Sequence, residues 1–177
     1  MKKNRQEVYV GKESDTPAGP VWVALSDDGL VAVDLNDEPE YLIRLLPRLG
    51  FENVLSDPRK TATALKQIRE YLMGKRKAFD IEIDWSVVTP YQEQVLRETC
   101  EIPYGEMSTY GEIAKRIGKP KGARAVGRAE ATNPMPLVIP CHRVLGSDGG
   151  LHGYGAGKGV ETKAWLLEME SSGKNQT

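Results

Sequence analysis

The residues best suited to nucleophilic chemistry are few and stand close together. The chain has two cysteines and two histidines, and Cys141 and His142 are neighbours in the segment PCHRV. A thiolate attacks soft electrophilic carbon well, and an imidazole can take the proton of the thiol. The apolar residues 137–139 predict a short buried strand, which would place Cys141 at a strand end before the glycine-rich turn 146–150. The sequence therefore predicts a reactive thiol at Cys141.

The other cysteine and histidine point to no metal or disulfide. Cys100 lies in an amphipathic pattern typical of a helix and is predicted to be a buried, inert residue. Two cysteines are too few for a disulfide framework, which favours a reducing compartment. His142 and His152 form no Cys/His spacing typical of zinc, so no metal is predicted. No phosphate-binding glycine motif is present either, and no cofactor is predicted.

A second arrangement of the same groups stays open. Cys141 with His152 and Asp148 would form the triad of a cysteine hydrolase or acyltransferase. A plain turn over residues 148–150 and an ordinary loop histidine are the favoured interpretation of those two partners. Turnover of a thioester or peptide without inactivation of the protein would support the hydrolase.

Two capping boxes define the helices that precede the thiol. The segments Thr89 to Gln92 and Thr109 to Glu112 each place a hydroxyl at the N-cap and an amide or carboxylate three residues later. The second helix is predicted to stop at Gly118, and after a four-residue turn small residues continue a helix over 123–132. Two short helices joined by a tight turn that contains glycine predict a helix-turn-helix.

A basic segment overlaps this motif. The chain as a whole is nearly neutral, with 24 Lys and Arg against 25 Asp and Glu, which excludes a global positive field for nucleic acid. Residues 115–128 nonetheless contain no acidic residue, and their basic residues are Lys115, Arg116, Lys119, Lys121, Arg124 and Arg128. A helix-turn-helix meets phosphates with its turn and second helix, so the segment predicts contact with DNA. Arg124 is the prominent long side chain among the small residues of the second helix.

The first half of the chain has a different pattern. Runs rich in valine and leucine predict short strands at residues 7–10, 21–25 and 30–34, with a hairpin turn at Asp28-Gly29. Apolar residues at helical spacing then predict helices over 39–49 and 58–73, and alternation predicts a final strand over 79–84.

These elements predict an α+β fold in two domains, residues 1–85 and 86–177. The length of 177 residues and 40% hydrophobic content suffice for a real core. The basic start Met1–Arg5 leads into no apolar region, and no stretch reaches the length of a membrane span. A soluble, cytosolic protein with no membrane partner is expected.

The second half of the chain resembles a known family along its whole length. The residues that carry the resemblance are Asn133-Pro134-Met135-Pro136, the segment PCHRV, Gly153-Tyr154-Gly155 and Trp165-Leu166-Leu167. Together they are similar to the signature of the O6-alkylguanine-DNA alkyltransferases. The resemblance implies a small RNase H-like N-terminal domain of sheet and helices, followed by a mostly helical C-terminal domain with a helix-turn-helix and the active-site cysteine. It also implies DNA repair by direct reversal, through irreversible, stoichiometric transfer of the alkyl group to the protein.

The resemblance implies a role for each residue around the thiol. Cys141 accepts the alkyl group, His142 draws the thiol proton through a bridging water, and Glu170 orients the imidazole. Residues 155–160 form a longer loop than in many members, which makes Glu168 a second candidate for that carboxylate. Alkyltransferase-like damage sensors keep the fold but carry another residue at the cysteine, so the intact Cys141 argues against that class.

The remaining implied roles concern DNA and the flipped base. The implied partner is duplex DNA containing O6-alkylguanine, with O4-alkylthymine as a further candidate, bound by a monomer through the minor groove. Arg124 fills the place that the base leaves, and Tyr110 rotates the 3′ phosphate. Lys121 and Arg128, from the basic segment, are predicted to bind the DNA. Asn133 is implied to be a catalytic-site hinge that joins the recognition helix to the cysteine strand. The residues implied to hold the base are the alkyl-pocket residue Pro136, the carbonyls of Cys141 and Val144, and the closing-loop residues Tyr154 and Gly155.

Overall fold

The computed structural model describes residues 5–174. They divide into two units, one ending at Val87 and the other beginning at Val88. The first unit ends two residues beyond the predicted boundary at residue 85. Of the basic start Met1–Arg5, residues 1–4 lie outside the described residues. No helix in the described part is long and apolar enough to cross a membrane. The predicted α+β fold class is confirmed.

The first unit is built on a four-stranded sheet. Its strands are β1 (Arg5–Glu13), β2 (Val21–Ser26), β3 (Gly29–Asp34) and β4 (Phe51–Leu55), in the spatial order β3-β2-β1-β4. The pairs β1–β2 and β2–β3 are antiparallel, and β4 adds parallel to β1. A hairpin turn joins β2 and β3 one residue earlier than predicted, at residues 27–28, because Gly29 already pairs with Ser26. Gly29 adopts a φ of 132°, where a side chain would be strained and would meet the carbonyl of Glu82.

Two helices accompany this sheet, as predicted. Helix α1 spans Glu40–Arg48 and α2 spans Pro58–Leu72. The carboxylate of Asp57 accepts from the backbone N–H of Arg59 at 3.0 Å and caps α2. Helix α2 packs on β1 and β2, and Gly11 leaves the space in which the side chain of Thr61 lies.

Two strand predictions in this unit were wrong. Residues 79–84 form no strand but a single bridge between Ile83 and Leu30. The chain turns away there because Asp84 accepts from the backbone and hydroxyl of Ser86, which begins a short 3-10 turn over Trp85–Val87. Strand β4 was missed because its burial pattern shows one buried residue followed by four exposed ones, so it lacks hydrophobic alternation.

The second unit is mostly helical. Its helices are α3 (Pro90–Cys100), α4 (Tyr110–Arg116), α5 (Ala123–Ala131) and α6 (Val160–Lys174), and its strands β5 (Ser108–Thr109) and β6 (Val144–Leu145) form one short parallel pair. Helices α3, α4 and α5 share a core that includes Val95, Ile113 and Val126. Gly118 takes a φ of 72° where α4 ends, and a turn leads into α5. The predicted helix-turn-helix is confirmed as a pair of packed helices, α4 and α5.

The two capping boxes differ in the structure. At α4 the capping box is complete, because the side chains of Thr109 and Glu112 each accept a hydrogen bond from the backbone N–H of the other residue. At α3 only Thr89 caps, accepting from the N–H of Gln92 at 3.2 Å. The amide of Gln92 instead donates to the carbonyl of Thr132 at 2.9 Å. The capping box predicted at Thr89 to Gln92 is therefore only half formed, and the Gln92 amide ties α3 to the end of α5.

The strand predicted over residues 137–139 is absent. Leu137 has a φ of 72°, which no strand residue adopts, and Cys141–Arg143 form a 3-10 turn. Prolines at 136 and 140 cannot donate to a ladder, and the N–H of Ile139 closes on the carbonyl of Met135 at 2.9 Å. Cys141 therefore follows a buried, locally closed loop and not a strand end.

Candidate active site

The thiol of Cys141 is buried and held by a neighbouring amide. Asn133 donates from Nδ2 to Sγ of Cys141 at 3.1 Å and to the carbonyl of Ile139 at 3.1 Å, while its Oδ1 accepts from the N–H of Met135 at 3.0 Å. Burial, together with the negative charge of Glu130, raises the pKa of Cys141 to about 12, against the opposing effect of Asn133. The resting group is therefore a thiol, and it needs a base to become a nucleophile.

His142, a buried base, directly follows Cys141 in the chain. His142 has no exposed surface, and its Nε2 lies 2.9 Å from Oε1 of Glu170. Burial lowers the pKa of His142 despite that carboxylate, so the imidazole is neutral. A neutral imidazole has one N–H and one acceptor nitrogen. Because Glu170 accepts a hydrogen bond from Nε2, the imidazole proton lies on Nε2. Nδ1 is then the nitrogen that can receive another proton.

Glu170 forms hydrogen bonds with other groups besides His142. Burial raises its pKa, but hydrogen bonds from His142 and Arg143 outweigh that effect and bring it to about 2. Arg143 donates to Glu170 from Nη2 at 2.8 Å and from Nε at 3.0 Å, and the backbone N–H of Gly105 donates at 3.0 Å. Glu168, the second candidate, is exposed on another face of α6. The carboxylate beside His142 is Glu170.

A cavity of about 1000 Å³ opens beside the thiol. This volume suits a small organic ligand. Two tyrosines line it: Tyr110 at the start of α4 and Tyr154 in the loop before α6. The hydroxyl of Tyr154 is buried and has no hydrogen-bond partner among the described residues, and burial raises its pKa well above the ordinary value. The cavity wall also includes Cys141, Arg124 and Gly155.

The basic segment lies on the outer surface of the helix pair. Its residues Lys115, Arg116, Lys119, Lys121, Arg124 and Arg128 are all exposed. Arg124 is in the first turn of α5 and reaches the rim of the cavity. The ring of Tyr110 lies against Gly127, where an added Cβ would be 3.8 Å from the ring. Helix α5 thus joins the basic surface to the cavity.

Two family models match the chain. The one described as 6-O-methylguanine DNA methyltransferase, ribonuclease-like domain, matches residues 6–85. The one described as 6-O-methylguanine DNA methyltransferase, DNA binding domain, matches residues 90–172. The chain belongs to the 6-O-methylguanine DNA methyltransferase family. The predicted family and the ribonuclease-like N-terminal domain are confirmed.

Relatives match over most of their length. A methylated-DNA–protein-cysteine methyltransferase of Methanosarcina barkeri is 39% identical over 158 residues, 89% of this chain and 94% of that protein. The protein of that name from Mycobacterium tuberculosis is 45% identical over 89% of this chain and 90% of its own. Crystal structures of the mycobacterial O6-methylguanine methyltransferase match with a TM-score of 0.77, one at 36% identity over 93% of both chains and one in complex with DNA at 35% identity over 94% of both chains.

The remaining residues implied by the methyltransferase resemblance are placed as follows. Asn133 contacts the thiol, as described above. Pro136 and Val144 are buried, and neither belongs to the cavity wall among the described residues. The carbonyl of Val144, expected to receive a hydrogen bond from the base, accepts from Nζ of Lys163 at 2.8 Å. The roles of Pro136 and Val144 stay predictions.

The residues of the hydrolase hypothesis also meet on the cavity wall. His152 Nε2 lies 3.0 Å from Oδ1 of Asp148, and both side chains are exposed. The predicted turn is present, since Gly149 donates to the carbonyl of Gly146 at 3.0 Å. The pair packs over Gly146, where an added Cβ would overlap His152.

Cys100 was predicted wrongly as a buried residue. It is exposed at the end of α3. Desolvation by the surrounding protein and the carboxylates of Glu130 and Glu101 nonetheless raise its pKa to about 11. Cys100 is therefore a protonated thiol at neutral pH. Among the described residues, no group of three or more His, Cys, Asp and Glu side chains could hold a metal ion.

Sequence reasoning missed three buried charged residues of the methyltransferase site: Arg143, Glu130 and Lys163. Nζ of Lys163 donates to the carbonyls of Val144 and Leu151 at 2.8 Å each and ties α6 to the loop around the cavity. A signal was present, because Lys163 and Glu170 share one helical face with the buried Leu166. Charged residues in an apolar stripe indicate buried partners.

Proposed function

We propose that this chain repairs O6-alkylguanine in duplex DNA by moving the alkyl group to its own Cys141. One observation carries the proposal: a buried thiol on the wall of a cavity of about 1000 Å³ has a neutral histidine beside it in the chain, oriented by the ionised Glu170. The adjacent helix-turn-helix in the family's DNA-binding domain supports a DNA substrate.

The transfer is a displacement at the alkyl carbon. The thiol proton of Cys141 passes through a water to Nδ1 of His142, and Glu170 stabilises the resulting imidazolium. The electron pair of Sγ forms the sulfur–carbon bond while the bond between carbon and O6 breaks. Guanine keeps the electron pair of the broken carbon–O6 bond and takes up one proton through water, which balances the proton that the thiol gave to His142. The thioether has no good leaving group, so each molecule acts once.

The base reaches the thiol only after it leaves the duplex, because O6 is inaccessible to a buried sulfur while the base is stacked. Arg124, exposed at the first turn of α5, fills the gap in the stack, and Tyr110, which lines the same cavity, turns the 3′ phosphate. Lys121 and Arg128 contact the phosphates on either side of the minor groove. Tyr154 closes over the base. The protein acts as a monomer in the cytoplasm.

The bound guanine is held by a second set of contacts. Its exocyclic amine donates to the carbonyls of Cys141 and Val144, Gly155 joins Tyr154 in the closing loop, and Pro136 contacts the alkyl group. Asn133 is the hinge between α5 and the thiol. Its hydrogen bonds to Met135, Ile139 and Cys141 support this role. Unalkylated DNA lacks the electrophilic carbon and is bound without reaction.

Substitution of the thiol separates binding from transfer. The Cys141→Ser variant is expected to bind duplex containing O6-methylguanine and to transfer no methyl group, because a hydroxyl is a far weaker nucleophile for a soft alkyl carbon. Cys100→Ser is the matched control and should transfer at the wild-type rate. Methyl transfer by Cys141→Ser would contradict the assignment of the acceptor.

The hydrolase is a second candidate, because the His152–Asp148 pair lies on the same cavity wall. Repeated turnover of a thioester substrate, lost in His152→Ala, would favour it. A His152→Ala variant with unchanged alkyl transfer would favour the repair function.

A further inference from the structure

A second carboxyl group is buried beside the reactive thiol and takes no part in the steps above. Glu130 on α5 is 6% exposed and belongs to the wall of the cavity that Cys141 lines. Its Oε2 is buried and has no hydrogen-bond partner in the described part of the chain. An ionised carboxylate out of water is costly unless it is paired and hydrogen-bonded. This position therefore favours the protonated, neutral acid.

The contact of Glu130 with α3 supports the same protonation state. Its Oε1 lies within hydrogen-bond distance of Oγ1 of Thr99, and that hydroxyl also lies 3.0 Å from the carbonyl of Val95. A hydroxyl has one proton and here meets two acceptors. If Glu130 is ionised, the single proton of Thr99 is shared between the carboxylate and the carbonyl of Val95. If Glu130 is protonated, it can donate to Thr99, which then donates fully to Val95.

The groups that face Glu130 come from several elements. Lys163 on α6 is the facing cation, and its hydrogen bonds go to two backbone carbonyls rather than to this carboxyl group. The other facing groups are acids: Cys100 on α3, Tyr110 at the start of α4, and Cys141. No salt bridge holds Glu130 in its ionised form within residues 5–174. An ionised Glu130 would instead oppose a second negative charge on Cys141.

We propose that Glu130 is a positioning residue for alkyl transfer, held as a neutral acid so that the thiolate of Cys141 can form beside it, and that its ionisation slows transfer. The inference rests on the proposed function. Burial raises the pKa of Glu130 to about 7, against hydrogen bonding by Thr99 and the charge of Lys163. Its ionisation therefore falls in a range where the protein is folded and the effect can be measured.

The test compares rate constants as a function of pH. Transfer from the free base O6-benzylguanine is measured for the wild-type protein and for Glu130→Gln, which keeps the shape of the acid but cannot ionise. The ratio of the two rate constants, variant over wild type, is expected to rise about tenfold between about pH 6 and pH 9, because one pKa unit at Cys141 changes the thiolate population tenfold. The ratio cancels the titration of groups that both proteins share.

Two further variants make the result specific. Glu168→Gln removes an exposed carboxylate of α6, and its ratio to wild type is expected to stay flat over the same pH range. Glu130→Met removes the ionisable group without any polar atom and should show the same rise as Glu130→Gln. A role for Glu130 in packing alone would give no such dependence on pH.

The outcomes separate this inference from the proposed function. Failure of the wild-type protein to transfer alkyl groups from free base and duplex at every pH would contradict the proposed function. Transfer with a flat ratio for Glu130→Gln would overturn the inference and leave the proposed function in place. If neither Glu130 variant folds, the infrared carbonyl band of a protonated acid in the wild-type protein decides: its loss as pH rises through about 7 supports the inference, and its absence at pH 6 overturns it.

Discussion

A single buried carboxylate organises the base and the arginine beside it. Glu170 accepts hydrogen bonds from His142, Arg143 and the backbone of Gly105, so it orients the imidazole and also neutralises the buried guanidinium. Arg143 in turn donates from Nη1 to the carbonyl of Ile102 at 2.6 Å. The same contacts that would support catalysis therefore hold α6 against the turn that carries the thiol. Stability and activity depend on one residue here.

Glu170→Gln should destabilise the protein and slow alkyl transfer together. The substitution leaves the charge of Arg143 buried without its partner, which costs about 3–5 kcal/mol of the free energy of unfolding. Urea unfolding at neutral pH measures this loss. Glu168→Gln, on the exposed face of the same helix, is the matched control and should change the free energy of unfolding by less than about 0.5 kcal/mol.

The effect of Glu170 on stability should depend on pH in one direction. Its pKa is about 2 in the folded protein against 4.5 as the ordinary value. A lowered folded pKa contributes stability that is present above the unfolded pKa and lost as pH falls through the folded one. The difference between wild type and Glu170→Gln is expected to shrink from about pH 4.5 towards pH 2. A difference that grew on acidification would contradict the ionised state of Glu170.

At the scale of elements, helix α5 separates two tasks by its faces. Its outer face carries the exposed Arg124 and Arg128, and its inner face carries the buried Val126 and Glu130. The helix therefore presents charge to DNA and closes the cavity of the thiol with the same nine residues. Replacing one outer side chain tests the DNA contact without reaching the thiol.

Arg124→Ala should slow transfer from duplex DNA and leave transfer from free O6-benzylguanine nearly unchanged. In the proposed function Arg124 stabilises the duplex from which the base has been flipped, and the free base needs no flipping. Single-turnover rates at saturating DNA measure this difference. Arg128→Ala, on the same helix, should lower DNA affinity and its salt dependence but not the saturated rate. Equal losses on both substrates for Arg124→Ala would contradict the role of Arg124.

Local sequence signals predicted the helices around the site but not the path between them. Thr109 and Glu112 cap the start of α4, and Gly118 lies just after its end. These signals act over a few residues, so the sequence predicts the helix pair correctly. The apolar residues 137–139 satisfied a strand pattern, yet prolines on both sides and the side chain of Asn133 close them into a loop. Such a loop depends on contacts between residues that hydrophobic periodicity does not describe.

The site residues likewise divide into those that the sequence predicted and those that only the folded structure shows. The reactive Cys141 and His142 are adjacent in the sequence, and the methyltransferase resemblance placed Glu170 with them. Arg143 and Glu130 were missed because their partners lie 27 and 31 residues away in the chain, so only the folded structure shows that they are buried. Burial of a charged residue cannot be inferred from charge pattern alone.

At the scale of the whole molecule, the proposed reaction leaves each protein molecule permanently alkylated, because each molecule acts once. An alkyl group on Sγ adds volume next to Asn133 in a buried site and removes the proton of the thiol. Overpacking on the side of the thiol that faces Asn133 costs about 1–3 kcal/mol. The methylated protein is expected to unfold at lower urea concentration than the unmodified protein, whereas treatment of Cys141→Ser with the same alkylated DNA should leave its midpoint unchanged. Equal midpoints for the modified and unmodified wild type would show that the site holds the methyl group without strain.

The most direct test of the account is the mass of the protein after reaction. The wild-type protein is incubated with excess duplex that contains one O6-methylguanine, and intact mass and peptide mapping follow. We expect a single added methyl group, on Cys141, that saturates at one per molecule while an equal amount of guanine is restored in the DNA. Restoration of more than one guanine per protein molecule, or a methyl group at any other residue, would contradict transfer to Cys141 as the repair reaction.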